Sequence, residues 1–243
     1  MDVKDFAAFV VKRFGVYNIN PLSNHFSSTD DAYLNEFQTA VAKAGSHVVD
    51  LGLSGGHFYD PDEAQRRAAV DYCRKWIDIA AKIQAPSVRQ HVSGQKGAKP
   101  DIALAAGSLG QLADYGSKHN IIVNLENDNP VAENPFFLVE VIQRVNSPYL
   151  RALPDFGNSL QGHDHEYNQR AVKAMFKYAY GMAHVKDTIT DDSKVYTVNL
   201  KDMFAIAKAS GYRGYFSMEY DTSSGDPVQG TEKLVQESLK YLT

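Results

Sequence analysis

The sequence predicts an α/β protein of the (β/α)8 barrel class, with seven strands and eight helices legible, built as a single domain over residues 1–243. Three observations carry that expectation. Strand-like and helix-like segments alternate along the whole chain, and the length of 243 residues suits one such barrel. Acidic and histidine residues also recur at successive strand ends, about one repeat apart. Parallel strands need a crossover of a dozen or more residues, usually a helix, so this alternation argues for a parallel sheet.

The elements follow in order. Residues 2–14 place Phe6, Val10 and Phe14 four apart, a helical stripe. A short extended piece, 16–20, is closed by Pro21. Thr29-Asp30-Asp31 opens a helix through Phe37 and Val41 to Gly45: threonine suits the N-cap, acids the first turn and glycine the stop. Residues 47–53 (HVVDLGL) are β-branched and apolar, a buried strand. Asp60-Pro61-Asp62-Glu63 starts a long helix carrying Ala69, Cys73, Trp76, Ile77 and Ala80. Strands then fall at 87–92, 121–127, 150–156, 182–187 and 215–220, with helices at 101–118, 135–145, 165–178, 199–210 and 228–242. The count is seven strands and eight helices. The alternation opens on a helix, so either this chain lacks a first strand or the barrel is incomplete.

Hydrophobic residues make up 44% and charged residues 22%, the balance of a globular protein large enough to build a core without disulfides. The single cysteine, Cys73, fits a reducing compartment, and a cytoplasmic location is expected. A net charge of −4 argues against a nucleic-acid partner, which usually needs a basic field. No apolar run is long enough to predict a membrane span. The N-terminus reads as an amphipathic helix, not a signal peptide.

Glu126 closes IIVNLEN, Asp155 closes the strand LRALPDF, His184 lies in MAHVKD and Glu219 in YFSMEYD. They are separated by 29, 29 and 35 residues, against roughly 30 for one strand-helix unit. In a parallel barrel all strand C-termini open on one face, so three carboxylates and an imidazole converge there. Crowded carboxylates repel unless a cation or protons neutralise them. Mn²⁺ or Mg²⁺ suits carboxylate oxygens, and the histidine also admits Zn²⁺, Co²⁺ or Fe²⁺. A lone acid at a strand end is more often a cap or a solvated residue; four in register reverse that judgement. Asp155 has a rival reading, a turn cap with Gly157 and Asn158.

Further candidates each carry a structural alternative. Lys186, two residues after His184, points to the same side, and either meets a substrate oxygen or pairs with Asp187 or another surface acid. Arg89 and His91 either contact hydroxyls or a phosphate, or serve the barrel interior. His57, with Phe58 and Tyr59 after Gly55-Gly56, either walls a sugar or anchors a loop. Gly162-His163-Asp164-His165 suggests a second metal, against the plainer reading of a loop opening a helix. His47 and His119 precede strands and are assigned no chemistry.

The motifs Leu125-Glu126-Asn127, Asp155-Phe156-Gly157-Asn158, His184-Val185-Lys186-Asp187 and Met218-Glu219-Tyr220-Asp221 resemble those of the xylose-isomerase-like TIM barrels, more narrowly the sugar phosphate isomerase/epimerase superfamily. The resemblance implies a TIM barrel with one Mn²⁺-type ion on Glu-Asp-His-Glu. Carried over from its ketose 3-epimerases, Glu126 and Glu219 are acid and base. Asn158 stands where those epimerases have a substrate-contacting histidine, and where endonuclease IV has a histidine in its three-zinc site. A trinuclear zinc site is therefore not expected, and Asn158 is placed among the substrate-binding residues. The expected function is metal-dependent isomerisation or epimerisation of a small-molecule sugar or sugar phosphate, by proton transfer through an enediolate. A keto-polyol dehydratase, a non-catalytic sugar-binding protein and an abasic-DNA endonuclease are the alternatives, and a homo-oligomer is left open.

Overall fold

A computed structural model describes residues 1–191, 194–221 and 225–242. Its eight helices are α1 (Val3–Phe14), α2 (Asp31–Lys43), α3 (Glu63–Lys82), α4 (Ile102–His119), α5 (Pro135–Val145), α6 (His165–Phe176), α7 (Leu200–Ala209) and α8 (Pro227–Leu239). The strands are β1 (Asn18–Ile19), β2 (His47–Val48), β3 (Leu51–Gly52), β4 (Ser87–Gln90), β5 (Ile122–Glu126), β6 (Leu150–Leu153), β7 (Met182–Val185), β8 (Thr188–Asp191), β9 (Lys194–Thr197) and β10 (Tyr215–Met218). Among the described residues, no helix is long and apolar enough to cross a membrane.

The helix starts follow capping chemistry. Asp2, Asp30, Asp62, Asp101, Asp164, Asn199 and Asp226 each accept a backbone N–H of the first turn, satisfying donors that have no partner inside the helix. In α2 the cap is Asp30, not the expected Thr29: the Asp30 carboxylate reaches the Tyr33 N–H at 2.8 Å.

The chain divides into two compact units interleaved in sequence, Met1–Leu125 with Val141–Arg151, and Glu126–Glu140 with Ala152–Thr243. In the first, β1 pairs parallel with β2, and β3, β4 and β5 pair parallel in that order. The apolar run 47–53, expected as one strand, serves two neighbours in turn. Its start pairs with β1, and its end with β4, where the Leu53 N–H reaches the Arg89 carbonyl at 2.8 Å. Between them Asp50 is fully buried and accepts from the Ser87 hydroxyl and the Asn124 amide. A buried carboxylate needs such donors, and the local sequence alone does not reveal them. Along α3, Val70, Cys73, Trp76, Ile77 and Ala80 are buried at three- and four-residue spacing, as the pattern predicts. Burial pushes the Cys73 thiol up to about 12, leaving it inert at neutral pH.

In the second unit β7 pairs parallel with β10, Met182 opposite Tyr215 through Val185 opposite Met218. Just beyond β6, the His184 N–H donates to the Pro154 carbonyl at 3.0 Å, and the Phe156 N–H to the His184 carbonyl at 3.1 Å. Phe156 anchors this register from the apolar side: it is fully buried, with Phe176, Phe204 and Phe216 edge-on around it at centroid distances of 6.2, 5.1 and 6.0 Å. The alternation predicts no element over residues 188–197. They hold the antiparallel pair β8–β9, Thr188 opposite Thr197. Its signal is present in the sequence, since TITD and KVYT are rich in β-branched residues on either side of a polar pair.

Candidate metal centre

Four side chains of the second unit, each at or just beyond a strand end, meet at one point. Glu126 ends β5, Asp155 follows β6, His184 lies in β7 and Glu219 directly follows β10. One donor atom from each lies within 4.8 Å of all the others. His184 is central: its Nδ1 stands 2.7 Å from Glu126 Oε1 and 3.0 Å from Glu219 Oε2. Glu126, Asp155 and His184 are buried, whereas the Glu219 side chain is 50% exposed. The cluster thus has one open carboxylate and three enclosed donors.

The two oxygens of Asp155 have different surroundings. Its Oδ1 caps the following turn, accepting the Gly157 N–H at 2.8 Å and the Asn158 N–H at 2.6 Å. Its Oδ2 faces the cluster, 3.3 Å from Lys186 Nζ. Lys186 therefore belongs with these acids, not with Asp187. Its ammonium also lies 3.4 Å from Glu219 Oε2 and donates to Asn158 Oδ1 at 2.8 Å.

Burial and charge work against each other here. Burial pushes the Asp155 carboxyl up to about 7, with the Lys186 ammonium pulling it back. The two N–H donors on Oδ1 further favour the carboxylate form. For His184, burial opposes the charge, but Glu126 and then Glu219 outweigh it and push the imidazole up to about 10. Lys186 is likewise held above the ordinary lysine value: burial disfavours its charge, and Asp155 and Glu219 overcome that penalty.

The donor set suits a divalent cation: three carboxylate oxygens and one imidazole nitrogen, close enough together to share one ion. With all three carboxylates ionised, one ammonium leaves two negative charges, which a dication would cancel with His184 neutral. A frame of hydrogen bonds holds the cluster. The Asn127 side chain accepts the Asp155 N–H at 2.8 Å and donates to the Asp155 carbonyl and to Ser159 Oγ. The Asn158 side chain donates to the Asn127 carbonyl at 3.1 Å while receiving Lys186. With its amide engaged on both sides and only 3% exposed, Asn158 braces the cluster from within. In the sequence Asn127 appears only within the motif Leu125-Glu126-Asn127, an amide directly after a strand-end acid, with nothing to mark it as a brace.

The remaining candidates have partners of their own. In the first unit the Arg89 guanidinium, buried, meets the His91 ring. His57 Nδ1 lies 3.3 Å from Asp60 Oδ2, and fully buried Asp60 also receives the Asp62 and Gln95 N–H groups. That geometry favours the loop-anchor reading of His57. The 162–165 cluster opens α6: Asp164 caps it and His163 stacks on Tyr167 with centroids 3.8 Å apart. Among the described residues it forms no metal-ligand group, so the second-metal reading is not supported.

A family model described as xylose isomerase-like TIM barrel matches residues 10–243. Among solved structures, the chain is similar to a D-psicose 3-epimerase from Clostridium cellulolyticum H10 with D-tagatose, at 14% identity and a TM-score of 0.78, covering 100% of this chain and 92% of that one. It is similar to a xylose isomerase-like TIM barrel protein from Mycobacterium smegmatis in complex with magnesium, at 17% identity and a TM-score of 0.75, covering 100% and 91%. It is similar also to a 3-keto-D-glucoside 4-epimerase from E. coli, at 15% identity and a TM-score of 0.69, covering 86% and 85%. At such identities these likenesses speak for the shared fold. Comparison with curated proteins gives no match.

Proposed function

Because the chain belongs to the xylose isomerase-like TIM barrel family, we propose that it is a metal-dependent isomerase or epimerase of a sugar or sugar phosphate. The observation that carries this reading is the convergence of three carboxylates and one imidazole on one point, with one carboxylate open to solvent. Glu126, Asp155, His184 and Glu219 would hold the dication, with Mn²⁺ and Mg²⁺ the first choices for the carboxylate oxygens. When bound, it supplies Lewis-acid stabilisation of the charge that develops on a carbonyl oxygen as the neighbouring C–H loses its proton.

The chain's own residues then move the proton. Glu219, half exposed, is the carboxylate an arriving substrate can reach, and it acts as base. Glu126, 3% exposed and hydrogen-bonded to His184, is the second carboxylate: it enters the cycle protonated, delivers that proton to the carbon, and is restored as Glu219 releases the one it took. Return to the opposite face of the same carbon inverts it. Return to the neighbouring carbon shifts the carbonyl. Epimerases of sugars among the structural relatives support the same chemistry.

Two measurements test the reading. In D₂O, the Mn²⁺-loaded protein incubated with a panel of ketoses and their phosphates is expected to place deuterium next to the carbonyl without loss of water, followed by NMR. Loss of water would replace the reading with a keto-polyol dehydratase; saturable sugar binding without any exchange would replace it with a sugar-binding protein. The second concerns His184, which is charged near neutral pH without metal because its imidazole is held up to about 10. An imidazole ligand must be neutral and a carboxylate ligand ionised, so Mn²⁺ binding at neutral pH is expected to release at least one proton per site, one from His184 and a further fraction from Asp155, and affinity should rise with pH. Calorimetry in buffers of different ionisation enthalpy reads this release, and no release would remove His184 from the ligand set.

A further inference from the structure

We propose that Lys186 is a positioning residue that serves the cluster as a resident counter-cation. It holds Asp155 and Glu219 at their ligand positions before a metal arrives, and it lowers the affinity for that metal. The proposal rests on the metal reading above.

Lys186 is 7% exposed, and burying an ammonium is costly unless opposite charges and hydrogen bonds surround it. It meets both requirements on the ligand atoms themselves. Asp155 has spent Oδ1 on two backbone N–H groups, so the oxygen facing Lys186 at 3.3 Å is the one left for a cation. The Glu219 oxygen it approaches at 3.4 Å is the same Oε2 that His184 approaches. Asn158 fixes the ammonium from a third side at 2.8 Å. The stem is held as well: a Cβ at position 157 would lie 2.9 Å from Lys186 Cγ and 2.9 Å from Val198 Cγ2, so glycine there leaves a slot that the stem fills. A cation fixed among donor atoms stabilises them when they would otherwise repel, and it repels a dication that comes to share them. A lysine with a purely structural role would stabilise both states alike.

The test uses the neutral variants Lys186→Met and Lys186→Gln, with Lys186→Arg keeping the charge. Mn²⁺ affinity is measured by calorimetry, and thermal unfolding is followed with chelator and with saturating Mn²⁺. In both neutral variants the Kd is expected to tighten about tenfold or more as the like charge is removed. The metal-free Tm is expected to fall by about 5 °C, with most of that loss recovered by Mn²⁺. Lys186→Arg should keep the parental Kd within about threefold, since its charge is retained. An unchanged or weaker Kd in the neutral variants would overturn the proposal, as would an equal loss of Tm with and without metal. Should the neutral variants fold only when Mn²⁺ is present, the proposal is supported; failure to fold in both conditions counts against it. A parent protein that binds no Mn²⁺ would instead remove the metal reading itself.

Discussion

Replacing Glu219 with glutamine is expected to lower kcat by about 10³-fold while the fold survives, because an amide cannot accept the substrate proton that a positioned carboxylate takes. The structure makes this a clean substitution. Glu219 has the only half-exposed side chain of the four ligand-type residues, so changing it leaves no fully buried cavity. Its backbone register is held independently, by the Glu219 N–H to the Val185 carbonyl at 2.8 Å. Glutamine keeps the shape and an oxygen near His184, so metal affinity should weaken less than turnover does. Steady-state kinetics beside a circular-dichroism melt separates the two effects. An active variant would take the base role away from Glu219.

Replacing His184 with alanine acts on the other side of the cluster. Loss of a ligand is expected to weaken Mn²⁺ binding tenfold or more. It also leaves Glu126 buried without the imidazole that stood 2.7 Å away. Breaking a buried pair by removing one partner costs about 3 kcal/mol, and the metal-free protein should lose stability of that order. The sign of the pH dependence follows from the raised His184 value. A group whose folded value lies above its unfolded one contributes fully below the unfolded value, and that contribution is lost as pH rises through the folded value. Here the window runs from about 6.5 to about 10. Denaturant unfolding of the metal-free proteins should therefore show a larger gap between parent and variant at the acid edge of that window than at its alkaline edge. A pH-independent gap would mean that His184 packs as a neutral ring.

Much of this protein was legible in one dimension. Apolar spacing and cap residues placed all eight helices within a few residues, because periodicity of 3.6 and side-chain capping are properties of short segments. Parallel strands occupy the seven expected positions among the described residues, though 47–53 is broken around Asp50. Glu126, Asp155, His184 and Glu219 were marked by their recurrence at strand ends, and a repeating supersecondary unit turns that spacing into a shared place in space. What the chain order could not reveal are relations across it. Lys186 finds Asp155 and Asn158 about one repeat away, Asn127 finds Asp155 across neighbouring strands, and Asp50 finds Asn124 from farther still.

The sequence by itself determined the alternating α/β architecture and the identity of the four ligand-type residues, since both depend on local pattern and regular spacing. The tertiary structure alone decided which oxygen of Asp155 caps its turn and which faces the cluster, and that Lys186 is buried among acids. It also decided that Asn158 braces the cluster and that Glu219 is the open carboxylate. These are matters of direction and burial, and a side chain's direction beyond a strand end is set by the neighbours that packing brings to it.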